Sequence, residues 1–207
     1  MSEGGGPTHR AAVDLYWLPL GAGGHSVKYN GRAFEWLAAR REGRAARDLY
    51  HAALQVQLGA ERYVIEMAPA WDERGAGHGA VVEGPVGARV LGRWRMFRYE
   101  VRCWRDGLIP DIAYAVDSPQ RVRADYTQAS RLLSLVAQTP ALVWGRDEVG
   151  CGEMWNSNSV VAWLLTSSGI DMSAVELPAA GRAPGWNAGL TLASPTRCRS
   201  AGCRALV

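Results

Sequence analysis

Lysine is almost missing from this chain: Lys28 is the only one, so the formal net charge of +3 over 207 residues rests on arginine. That bias points to GC-rich coding and names no partner. The arginines are dispersed among acidic residues over most of the length, where a nucleic-acid surface would cluster them with aromatic platforms on one face. No nucleic-acid partner is therefore expected. The run Arg40, Arg41, Arg44, Arg47 is the local exception, and it reads as the solvated face of a helix whose apolar side carries Phe34, Leu37 and Ala38.

Other absences narrow the class further. The four cysteines (Cys103, Cys151, Cys198, Cys203) form no CxxC pair and have no histidine cluster nearby, which argues against a disulfide framework or a structural zinc site. No uncharged apolar window is long enough to span a bilayer, and Met1 to Arg10 is polar and Gly-rich, unlike a secretory leader. A cytoplasmic protein without cofactor or metal is expected. The loop Gly21 to Ser26 lacks the Lys-Ser/Thr ending of a phosphate-binding loop, so His25 within it is assigned to the rim of a site. No internal repeat is visible.

The elements that are present alternate in type. Asp14 to Pro19 reads as a strand, Asn30 as the cap of a helix over Arg32 to Glu42, and Leu49–Leu58 with Arg62–Ala68 as a hairpin around Gly59-Ala60. Val81 to Glu83 and Arg89 to Leu91 are candidate paired strands. Trp94 to Trp104 alternates, with Phe97, Tyr99, Val101 and Cys103 on one side and Arg98, Glu100 and Arg102 on the other. Asp125 caps a helix that Pro140 stops, and Gly169 closes a second, strongly apolar helix that begins near Ser157.

The start of that second helix carries the chemistry. Trp155-Asn156-Ser157-Asn158-Ser159 puts a small nucleophile-type side chain where unpaired backbone N–H groups and partial positive charge favour an anion. A thiol gains most from such a place; an alcohol needs a base as well. Asn156 and Asn158 serve either as helix caps or as oxyanion donors, with Ser159 an alternative N-cap. Cys151, between Gly150 and Gly152, belongs to the preceding loop. His51 opens the hairpin on the strand face shared by Gln55 and Gln57, and it is the candidate base.

The strand Tyr50-His51-Ala52-Ala53-Leu54-Gln55-Val56, the following Tyr63 to Met67, the late Asn156-Ser157-Asn158 helix start and the downstream Pro184-Gly185-Trp186 together resemble the circularly permuted papain-like superfamily. That superfamily includes NlpC-type peptidases, lecithin retinol acyltransferase and the PPPDE peptidases. The resemblance covers roughly Leu49 to Trp186. It implies an α+β fold, an antiparallel half-barrel sheet packed against helices with the His strand before the nucleophile helix. The length fits a single domain over 1–194, and 195–207, which lacks periodicity, reads as an ill-ordered tail.

The same resemblance implies His51 as base, Ser157 at the position of the nucleophilic cysteine, and Glu66 near the residue that orients the histidine. Asn156, Asn158, His25 and Trp155 would line the substrate. A tight turn at Ala60-Glu61 would pair Gln55 with Glu66 and leave His51 about 13 Å along the strand, so Asp72 or the His25 loop is an alternative third group. Two functions follow. One is a catalytically silent relative that binds a peptide, amide or acyl ligand; the other is an active serine-dependent amidase, esterase or acyltransferase.

Overall fold

The computed structural model describes residues 10–20, 40, 43, 45–70, 79–179 and 181–194. Apart from Arg40, which is helical, the expected helix over 32–42 lies outside them, as do His25, Asp72 and the tail over 195–207. Six strands, β1 (Ala11–Pro19), β2 (Tyr50–Leu58), β3 (Glu61–Pro69), β4 (Ala80–Pro85), β5 (Arg98–Arg105) and β6 (Val116–Val122), form one antiparallel sheet in the order β4-β5-β3-β2-β1-β6. Among the described residues three α-helices follow β6: α1 (Tyr126–Leu135), α2 (Ser157–Ser167) and α3 (Trp186–Ala193). The fold is α+β.

Strand alternation divides the side chains between two layers. One face presents Leu15 and Trp17 of β1, Tyr50, Ala52, Leu54 and Val56 of β2, Ile65 and Met67 of β3, and Tyr99 and Val101 of β5. Against it pack Ala129 and Leu132 of α1 and Val160, Val161, Leu164 and Leu165 of α2, all buried. The opposite face carries a smaller cluster, Tyr16, Leu18, Ala53, Val64 and Ile109, with Trp104 beside it. Mixed among these are the polar partners of the alternation, Asp14, His51, Gln55, Glu66, Glu100 and Arg102.

The hairpin turn falls on Gly59-Ala60, with Gly59 in the left-handed region (φ 61°), and it pairs Leu58 with Glu61 and Gln55 with Val64. This is where the hairpin reading places the turn; the alternative tight turn at Ala60-Glu61, which would pair Gln55 with Glu66, does not form. On its other side β3 pairs with β5, where Glu66 stands opposite Arg102. The expected strands at Arg89–Leu91 and Trp94–Phe97 are corrected as well. Both segments wind into 3-10 turns, Arg89–Arg93 and Arg95–Phe97, held by local bonds such as Trp94 N–H to Leu91 O at 3.0 Å, and β5 begins only at Arg98.

Two elements escaped the sequence reading. β6 contains Pro119, which argues against a strand, but β6 is an edge strand, where a missing N–H is tolerated. Short α3 has Gly185 (φ 89°) as its N-cap and contains Gly189, both unfavourable signals. Contact explains them. A Cβ on Gly189 would lie 2.2 Å from the carbonyl oxygen of Ser159, so α2 and α3 touch backbone to backbone there.

Candidate functional site

The start of α2 is built from its own side chains. Asn156 is the N-cap, in extended conformation, and its Oδ1 accepts from Asn158 N–H (2.9 Å) and Ser159 N–H (3.3 Å). Ser159 Oγ accepts from Asn156 N–H at 3.0 Å, completing a reciprocal capping box. Val160 N–H already bonds Asn156 O at 3.1 Å. Three of the four N–H groups that a helix start ordinarily leaves open are therefore occupied. Asn156, not Ser159, is the cap.

The remaining polar atoms tie α2 to its neighbours. Asn156 Nδ2 donates to Pro184 O at 2.8 Å, and Asn158 Nδ2 donates to Pro184 O (2.9 Å) and to Tyr50 O on β2 (3.0 Å). Ser159 Oγ donates to Gly185 O at 2.7 Å. Gly185 is required here, since a Cβ would come within 2.5 Å of Asn156 Oδ1. From the loop before α2, Glu153 accepts from Asn187 N–H (3.1 Å) and Asn187 Nδ2 (2.6 Å), holding the first turn of α3. Trp155 is fully buried beneath this junction. Ser157 is buried at the first helical position, 6% exposed.

His51 lies elsewhere. Its neighbours Tyr50 and Ala52 point into the helix-covered layer, so His51 points to the opposite face, beside Leu18 of β1. Ser157, by contrast, opens α2, which packs on the other face of the sheet. Desolvation of the half-buried His51 pushes its pKa down from 6.5 to about 4, and the Asp111 carboxylate opposes that shift. The imidazole is neutral at neutral pH.

This depression has a consequence for stability. Below about pH 6.5 an unfolded chain takes up a proton that folded His51 refuses until about pH 4, so its contribution is full above pH 6.5 and is lost as pH falls through that window. Allowing for partial exposure, about 2 kcal/mol is expected to disappear between pH 7 and pH 4.5. Urea midpoints at the two pH values would measure it. His51→Gln should flatten the difference by that amount, and an unchanged difference would contradict the desolvated imidazole.

Glu66 shares the face of His51 but faces another partner. Arg102, 1% exposed, places Nη1 3.5 Å from Glu66 Oε1 and donates Nε–H to Glu100 Oε2 at 2.9 Å; a further bond from Nη2 reaches Pro69 O at 3.4 Å. Glu66 and Glu100 are each 8% exposed. Arg102 is thus a buried cation held between two carboxylates on one strand face. Farther along, Asp14 of β1 pairs with Arg121 of β6.

Arg102, Glu100 and Asp111 were missed as site residues. The alternation placed Glu100 and Arg102 on the polar side of β5, and only the long-range pairing of β3 with β5 brings Glu66 opposite Arg102. Asp111, in a loop at positive φ (61°), had no such signal. Cys151 sits in the loop as expected, its backbone and both flanking glycine N–H groups bonded to Asp147, and burial raises its thiol pKa. Among the described residues no group of three or more His, Cys, Asp and Glu side chains could hold a metal ion, and no helix is long and apolar enough to cross a membrane. In comparison with known proteins, the chain matches no family model, no curated protein and no solved structure.

Proposed function

We propose that this chain is a catalytically silent relative of the permuted papain-like superfamily, acting by binding a peptide, amide or acyl ligand and not by turnover. The observation that carries this reading is the placement of His51 and Ser157 on opposite faces of the sheet. A general base has to reach its nucleophile within hydrogen-bond distance, directly or through one water. The helix start offers little to an oxyanion as well, because Asn156 already holds the Asn158 and Ser159 N–H groups. Asparagine and serine at this turn keep the architecture in place without any chemistry.

Binding falls to the polar face around His51. A neutral imidazole presents one donor and one acceptor, the complement of an amide, and Gln55 on the same strand face presents both again. The test pairs turnover with binding. A serine-directed fluorophosphonate should leave the wild-type protein unlabelled, while N-acylated dipeptide amides should raise its melting temperature and lose that effect in His51→Ala. Labelling that disappears in Ser157→Ala would establish the serine hydrolase instead. Failure of every amide probe to shift the wild type would remove the binding role.

A further inference from the structure

We propose that the arginine-rich segment Arg89–Arg98 docks this protein on an anionic membrane surface. Three apolar side chains stand out from it into solvent: Val90 is 57%, Trp94 50% and Met96 65% exposed. The segment runs along the edge of the molecule, because it connects edge strand β4 to β5 and its Gly92 rests against Pro85. Large apolar groups grouped on a surface are costly in water and mark a contact face.

The charge around them has one sign in excess. Arg89 is paired with Glu148 and Arg98 with Glu83. Arg93 and Arg95 instead direct Nε to backbone carbonyls, those of Val90 (3.2 Å) and Ala70 (3.1 Å), and among the described residues neither meets a carboxylate. Arg146, bonded to Gly87 O at 2.6 Å, adds a third such cation beside the turn. Guanidinium groups flanking Trp and Met match an interface of phosphate headgroups over acyl chains: the cations take the phosphates, the indole sits at headgroup level, and the aliphatic groups enter below.

A single-stranded nucleic acid would also meet arginines, but it needs open aromatic faces for stacking. Trp94 is the one exposed aromatic in the segment, and the Arg93 guanidinium already covers one face of its ring, 5.2 Å from the centroid. Val90 and Met96 offer a base nothing to stack on. An aliphatic-rich, cationic edge favours the bilayer.

Vesicle co-sedimentation of the full chain tests this. Vesicles of phosphatidylcholine with about one-third phosphatidylglycerol should bring the protein down at 0.1 M salt, those of phosphatidylcholine alone should not, and 0.5 M salt should release it. Trp94→Ala/Met96→Ser should weaken binding at least about tenfold, and Arg93→Gln/Arg95→Gln by a similar factor. All four residues lie at the surface, so thermal unfolding of both variants should match the wild type. Absence of binding to the anionic vesicles, or binding unchanged in either variant, would overturn the proposal. So would Trp94-dependent capture of a single-stranded oligonucleotide that displaces the vesicles.

Discussion

Asn156→Ala is expected to destabilise the protein by about 2 to 3 kcal/mol, whereas Ser157→Ala, one residue along, should change stability by less than about 1 kcal/mol. The first substitution deletes the acceptor for two N–H groups of α2 and the donor to Pro184 O. Loss of an Asn cap costs about 1 kcal/mol, up to roughly 2, and a lost net hydrogen bond about 1 more. In a protein of this size that is a fall in Tm of about 5 to 10 °C. Asn156→Asp separates the contributions, because a carboxylate still caps but cannot donate to Pro184, and it should fall between wild type and alanine. This ordering is the reverse of what an active site gives. There, Ser157→Ala would abolish activity, and stability would often rise when a strained nucleophile is removed.

The second large effect lies on the other face of the sheet. Arg102→Met should cost about 3 to 5 kcal/mol at neutral pH, because Glu100 and Glu66 lose a charged partner while remaining 8% exposed. Methionine fills much of the arginine stem's volume, so the penalty reports charge more than packing. Adding Glu66→Gln and Glu100→Gln to Arg102→Met removes both buried anions, and about half of the loss should return. Urea unfolding of the single and triple variants measures this. A cost for Arg102→Met below about 1 kcal/mol, the range of solvent-exposed pairs, would mean that the cluster is not desolvated.

The sheet was more legible in the sequence than the site. The β2–β3 hairpin, β4, most of β5, the Asp125-capped α1 and apolar α2 all announce themselves through period-two alternation or capping signals that depend on neighbouring residues only. Gly169, in the left-handed region just beyond α2, behaves as the sequence indicates. Where long-range contact decides, the pattern misleads. Gly92 and Arg98 turn the chain at 89–97 away from a strand, through packing on Pro85 and a bond from Arg98 Nε to Gly92 O. α3 exists because its glycines let its backbone approach Asn156 and Ser159.

The site was harder to read for a related reason. Asn156-Ser157-Asn158-Ser159 has the same residue types whether it caps a helix or flanks a nucleophile, since both tasks use short side chains that bond backbone N–H groups. What separates them is which face of β2 carries His51. The alternation put His51 with Gln55 and Gln57, away from Leu54 and Val56, and the structure keeps it there. That face lies opposite the layer in which α2 packs. Glu66 depends on long-range register: the β2–β3 turn decides which β2 residue it faces, and the separate pairing of β3 with β5 sets it opposite Arg102.

The most direct test of a structural role for the α2 start is the reactivity of Ser157→Cys. With the Asn158 and Ser159 N–H groups occupied and His51 on the other face of the sheet, the buried thiol should keep a pKa at or above about 8.5. Iodoacetamide labelling should then be slow at pH 7, accelerate toward pH 9, and be the same in Ser157→Cys/His51→Gln. Rapid alkylation at pH 7 that His51→Gln abolishes would contradict the account and restore His51 and residue 157 as a working pair.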